Sequence, residues 1–272
     1  MPRLPRIHVE RGLYFVTSNG SRDALFRDDN DRIEYVGLLA KYKEQYKFKL
    51  HAYILTPGLT HLLIELDTGT TISEIMHALN STYTKYYNAR YERRGTLFQG
   101  RFKAAVVEKE KYMPEVSRAI HMLPVAEKIA WEPRSYKWSS YSTYLEGDED
   151  AREILTLFSE NKTEQIDQYK DFVESATESE LKIFYKKIQN ARIIGSKEFV
   201  QRLENGLEEI YKKDEEEISK KNPVNKIFIA TSIIMVLIFA SIAVYLQISN
   251  KRVISKVENI LQKQEMKSRK NF

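Results

Sequence analysis

The run from Leu50 to Glu65 constrains the fold more than any other part of this 272-residue chain. Two apolar stretches, Leu50-His51-Ala52-Tyr53-Ile54-Leu55 and His61-Leu62-Leu63-Ile64-Glu65, flank Pro57-Gly58. β-formers on both sides of such a break read as strand, turn, strand. Side chains alternate faces along a strand, so Leu59 and His61, two positions apart, share one face. Further strands are expected near Leu13 to Ser18, where Leu13 and Phe15 alternate, and near Phe102 to Val107. Helical spacing of Ile33, Val36, Leu39 and Ala40 marks a helix near Asp29 to Tyr46; others fall near Ile72 to Tyr91 and Lys111 to Met122. This order predicts an α+β fold, an antiparallel sheet covered by helices.

Beyond Gly147 a charged break, Asp148-Glu149-Asp150, opens a helical stretch. Leu181, Phe184, Tyr185 and Ile188 make one apolar stripe, and Phe199, Leu203, Leu207, Ile210 and Tyr211 another. Lys212 to Lys221 is a charged connector, and Asn222-Pro223 ends it. Ile227 to Ile248 then runs without a charge until Lys251. As a helix it is about 33 Å long, enough for a hydrocarbon core of about 30 Å. The expected organisation is a domain over 1–147, a helical extension and connector over 148–222, a transmembrane helix over 223–250 and a basic tail over 251–272.

Seven basic and two acidic residues follow Lys226, so the formal net charge of +5 resides wholly in the tail and the region before it is balanced. The pI near 9.0 is therefore no general argument for a polyanionic partner. Locally, Lys85, Arg90, Arg93, Arg94, Arg101 and Lys103 crowd one helix end and turn, interleaved with Tyr83, Tyr86, Tyr87, Tyr91 and Phe98. That mixture suits a surface holding phosphates and stacking unpaired bases, or a solvated helix face with buried rings. The absence of cysteine excludes disulfides and thiolate metal sites. No Gly-rich phosphate loop is visible, and no cofactor is expected. Arg3, Arg6, Glu10 and Arg11 interrupt any apolar signal core, which favours a cytoplasmic domain held at the cell membrane by a single span. The basic tail pulls the other way under the positive-inside rule.

Several stretches share one resemblance. Met1-Pro2-Arg3, Gly12 to Ser18, Phe26-Arg27-Asp28-Asp29, Leu50 to Glu65, Leu79 to Asn88, Gly95 to Ala104 and Trp138-Ser139-Ser140-Tyr141 occur in the order found in the HUH single-tyrosine transposases. Among these the chain most closely resembles the REP-associated tyrosine transposases. The resemblance implies a ferredoxin-like sheet, recognition of single-stranded or stem-loop DNA, and a homodimer. It also implies a metal held by a His-hydrophobic-His strand plus an asparagine, and a tyrosine nucleophile one helical turn before that asparagine. The matching positions here carry Leu59, His61, Leu123 and Ala119. His61 is thus a relic, and no catalytic or metal site is expected.

Cutting DNA with tyrosine requires a phenolate, scarce when the pKa is about 10, and a cation to polarise the phosphate. Groups of this kind act as a unit, so losing three of four leaves no route to cleavage. The expectation is a membrane-tethered, catalytically inactive transposase-like protein that binds DNA. Two alternatives stay open: a protein-interaction scaffold at the membrane that has lost DNA binding, and an active strand-transferase with a relocated site. His51 and His121 are candidates for relocated ligands, against the plainer reading of packed histidines.

Overall fold

The structure, a computed structural model, describes residues 7–21, 24–147, 151–207 and 235–236. The chain divides into two compact units, Met1–Leu203 and Glu204–Phe272. Nearly all of the second lies outside the described residues, including the connector, the basic tail and the expected span over 223–250 apart from Met235 and Val236. Among the described residues, no helix is long and apolar enough to cross a membrane.

The first unit is mixed α+β. In chain order come β1 (Leu13–Asn19), α1 (Asp29–Tyr46), β2 (Lys49–Leu55), β3 (Leu59–Glu65), α2 (Ile72–Arg90), β4 (Lys103–Val107) and α3 (Lys109–Ala126). After a 3-10 turn at Pro133–Ser135 come α4 (Tyr141–Glu146), α5 (Arg152–Leu155), α6 (Lys162–Glu174), α7 (Glu178–Ile188) and β5 (Ile193–Ile194). The strands form one sheet in the order β2-β3-β1-β4-β5. Its first four are antiparallel to their neighbours, the arrangement of a split βαβ repeat. β5, running parallel to β4, is an added edge.

Local chemistry starts the helices where they start. Asp28 caps α1 by accepting from the Asp31 amide, and Thr71 with Glu74 forms a capping box on α2. Alternation then assigns the faces. Leu13, Phe15, Ile54, Leu63, Ala105 and Val107 bury one face of the sheet against α3. On the opposite face, Ser18 meets Asn80 of α2, and Phe26, Tyr35 and Tyr83 pack ring against ring between the loop, α1 and α2.

The boundary expected at 147 does not separate one core from another. Ala151, Ile154, Tyr169, Val173, Leu181 and Ile188 belong to the same buried cluster as Leu13 and Phe15. A short apolar helix has no stability of its own in water, so α6 and α7 bury their stripes on α3 while α5 packs on α6. The second expected stripe begins on a helical segment over 197–207 and continues outside the described residues. Gly195 admits this segment: a Cβ there would stand 2.5 Å from the Phe199 ring and 3.1 Å from the Glu108 carboxylate.

Candidate functional site

Two concave regions lie on opposite faces of the sheet. The first is a cavity of about 560 Å³ between the β1–β3 face, α3 and α7, and it brings together Leu59, His61 and Leu123. His61, Thr17 and Lys103 stand in one cross-strand row, because Thr17 pairs with both other positions. His61 is buried, with Nδ1 2.9 Å from the Thr17 hydroxyl and its ring 4.9 Å from that of Phe15. Burial pulls its pKa down to about 3, so the imidazole is neutral at ordinary pH. Ala119 lies one turn before Leu123 on α3, and its carbonyl accepts a hydrogen bond from the Tyr185 hydroxyl of α7. Burial first, and the Glu127 carboxylate second, push that phenol well above its ordinary range. A phenol held protonated is the reverse of an activated nucleophile.

The second region is a groove of about 770 Å³ between α2 and the loop before β4. It is lined by Lys85 and Arg101, by Phe98 and Phe102, and by His77, Asn80 and Thr84 of α2 among others. Helical spacing puts His77, Asn80, Thr84 and the neighbouring Ser81 on one side of α2. The loop is fixed against the end of β1, where the Ser21 amide donates to the Leu97 carbonyl and the Gln99 amide to the Asn19 carbonyl. Asn80 spends its amide nitrogen on Ser18, while its Oδ1 is buried without a partner.

The basic patch read from the sequence is thus divided. Lys85 and Arg101 face the groove; Lys103 lines the cavity across the sheet, with Nζ 3.0 Å from Asn190 Oδ1. Arg90 is engaged internally, 2.6 Å from Asp28 and 2.7 Å from Asp31, and its side chain also lies over the Tyr91 ring. Arg93 stands over the Tyr87 ring, and Arg94 is exposed. The stacking expected of Tyr83 and Tyr87 needs correction. Both rings are fully buried, and their hydroxyls donate to the Leu25 and Ala24 carbonyls. Asn80 and His77 were missed because the charge run begins only at Lys85, and Phe102, inside that run, reads as the start of a strand. The partners of Arg90 were missed because they lie about sixty residues away in the chain.

The two histidines considered as relocated ligands are packed. His121 joins Tyr169 at 2.8 Å and Ser140 at 2.8 Å in a buried network, and burial lowers its pKa to about 3. His51 is the extra residue of a β-bulge in β2, and its Nε2 lies 2.7 Å from Glu65. His51, Glu65 and Glu153 have the spacing of a cation site. The Lys109 ammonium contacts both carboxylates, at 2.8 Å from each Glu65 oxygen, and occupies that role. Burial raises Glu65, yet the His51 and Lys109 hydrogen bonds outweigh it and hold the carboxyl down to about 2.

The fold and these two regions define an antiparallel sheet with a basic, aromatic groove on one face and a partly open cavity on the other. Residues 12–122 match the family described as transposase, IS200 like. Solved structures similar to the chain include a REP-associated tyrosine transposase bound to a REP hairpin. It is 18% identical with a TM-score of 0.47, over 53% of this chain and 86% of that one. Another is a protein from Deinococcus radiodurans R1 described as a transposase, 16% identical with a TM-score of 0.31, over 42% of this chain and 93% of that one. No curated protein matches the chain.

Proposed function

We propose that this protein is a membrane-tethered relative of the IS200-like transposases that binds stem-loop or single-stranded DNA without cutting it. The groove on α2 carries the reading. Lys85 and Arg101 supply phosphate contacts, Phe98 and Phe102 supply ring faces, and Asn80, His77 and Thr84 supply hydrogen-bonding groups between them. The match over residues 12–122 supports a nucleic-acid partner.

Loss of cleavage is supported by Leu59, Ala119 and Leu123, since hydrocarbon at those positions neither ligates a cation nor attacks phosphorus. The tether rests on the uncharged run from Ile227 to Ile248. A homodimer belongs to the same proposal and is read by the mass of the protein in solution.

The test is a gel shift of the full chain on a stem-loop oligonucleotide at several salt concentrations. Lys85→Ala with Arg101→Ala should weaken binding at least tenfold and reduce the salt slope by about 2. No shift at low salt, or an unchanged double variant, overturns the groove and leaves the scaffold reading. Labelled single strands with Mn²⁺ should give no covalent adduct; an adduct overturns inactivity.

A further inference from the structure

The geometry points to a second ligand: the cavity between the sheet, α3 and α7 binds a small aromatic anion, a flat ring bearing a carboxylate or similar group. This inference is independent of the DNA reading, which uses the opposite face of the sheet. A cavity of about 560 Å³ falls within the roughly 300–1,000 Å³ of small-molecule sites. Its walls are apolar where Phe15, Leu59, Leu123 and Ile188 line it, and polar or charged side chains make up most of the rest.

One of those groups lies deep. His61 is only 8% exposed and spends Nδ1 on Thr17. Among the described residues, Nε2 has no hydrogen-bond partner. With the Thr17 hydroxyl donating to Nδ1, Nε2 carries the proton and offers it to an acceptor in the cavity. The neutral ring also extends the aromatic surface that begins at Phe15.

Charge at the rim selects the sign. Lys182 and Lys186, one turn apart on α7, line the cavity with Lys103. Lys103 already meets Asn190, whereas Lys182 and Lys186 are exposed and form no ion pair among the described residues. Glu178 and Glu127 oppose them, but burial raises the Glu127 carboxyl and weakens its charge. A flat ring slides between Phe15 and the aliphatic wall, and its acid group meets the lysines.

Isothermal titration of the full chain in nonionic detergent with 2-naphthoate tests this, with 2-naphthalenemethanol and decanoate as comparators. 2-Naphthoate should bind saturably, and the neutral alcohol and the alkyl acid each at least tenfold more weakly. Leu59→Trp, which fills the cavity, and the exposed pair Lys182→Glu with Lys186→Glu should each weaken 2-naphthoate at least tenfold. Gel shifts on the stem-loop should be unchanged in these variants, so the outcome separates from that of the groove. Absence of saturable heat overturns the inference, as does equal binding by Leu59→Trp or by the double lysine variant. Decanoate binding as tightly as 2-naphthoate overturns the aromatic specificity.

Discussion

At the scale of single residues, two buried histidines set how the protein responds to acid. Burial leaves His61 and His121 with pKa values of about 3, against about 6.5 in an unfolded chain. Between those values the unfolded state binds more protons, so stability falls as pH drops through 6.5 and continues to fall towards 3. At pH 5 each histidine should have withdrawn about 2 kcal/mol relative to pH 7.5. Urea unfolding at the two pH values should show the loss, and His61→Leu should shrink it; an unchanged difference would rule His61 out as a source. The ion cluster acts lower in pH and overlaps this window, because the stability from Glu65 is lost as pH falls from about 4.5 towards 2. Its partner Lys109 is half-buried, with side-chain exposure of 30% between carboxylates at 13% and 35%. Lys109→Met should therefore cost about 1–3 kcal/mol by stranding Glu65 and Glu153, and adding Glu65→Gln should recover some of it. Equal stability of Lys109→Met and wild type in urea would contradict that account. The sequence placed Leu59 and His61 on one strand face by period, and tied Leu123 to them only through the family resemblance. It held no sign that Asp28 and Asp31 take Arg90, since that neutralisation crosses the fold.

At the scale of elements, the long periodic ones were legible and the short ones were not. Alternation located β1 to β4, and helical spacing located α1 to α3, to within a few residues, close to the usual uncertainty of element ends. β5 has two residues, too few for any period. The bulge at His51 likewise leaves no pattern, because one extra residue looks like ordinary strand. Trp138-Ser139-Ser140 was conspicuous as a motif, but its role is structural. The Leu55 amide donates to the Trp138 carbonyl and the Ser140 amide to the Tyr53 carbonyl, covering the outer edge of β2. The other edge is closed by β5, which depends on Gly195. Glu108 accepts from the Ser196 amide at 2.6 Å, so a side chain at 195 must displace either that carboxylate or Phe199. Gly195→Ala should cost about 1–3 kcal/mol, the usual penalty for overpacking. Amide exchange at Ile194 should accelerate with it; protection equal to wild type would show that the segment has room.

At the scale of the whole molecule, the chain combines a balanced, folded unit with an apolar run and a basic tail. Among the described residues, the buried cluster around Leu13 and Phe15 is built from residues up to Ile194. The run from Ile227 to Ile248 consists mostly of Ile, Leu, Val and Phe. Each such residue near a helix centre favours insertion by about 0.3–0.6 kcal/mol, and only Thr231, Ser232, Ser241 and Gln247 oppose it with uncharged polar groups. For the proposed span the sum favours the bilayer, and the tail's seven basic residues would add attraction to anionic lipid. The full chain should therefore sediment with membranes and resist alkaline carbonate, whereas a chain ended after Leu207 should stay in the supernatant. Both should shift the stem-loop with affinities within about threefold, since the groove lies wholly within residues 73–102. Extraction of the full chain by carbonate would refute the span. A shortened chain that folds but no longer binds would move the DNA contact from the groove to the segment after 207.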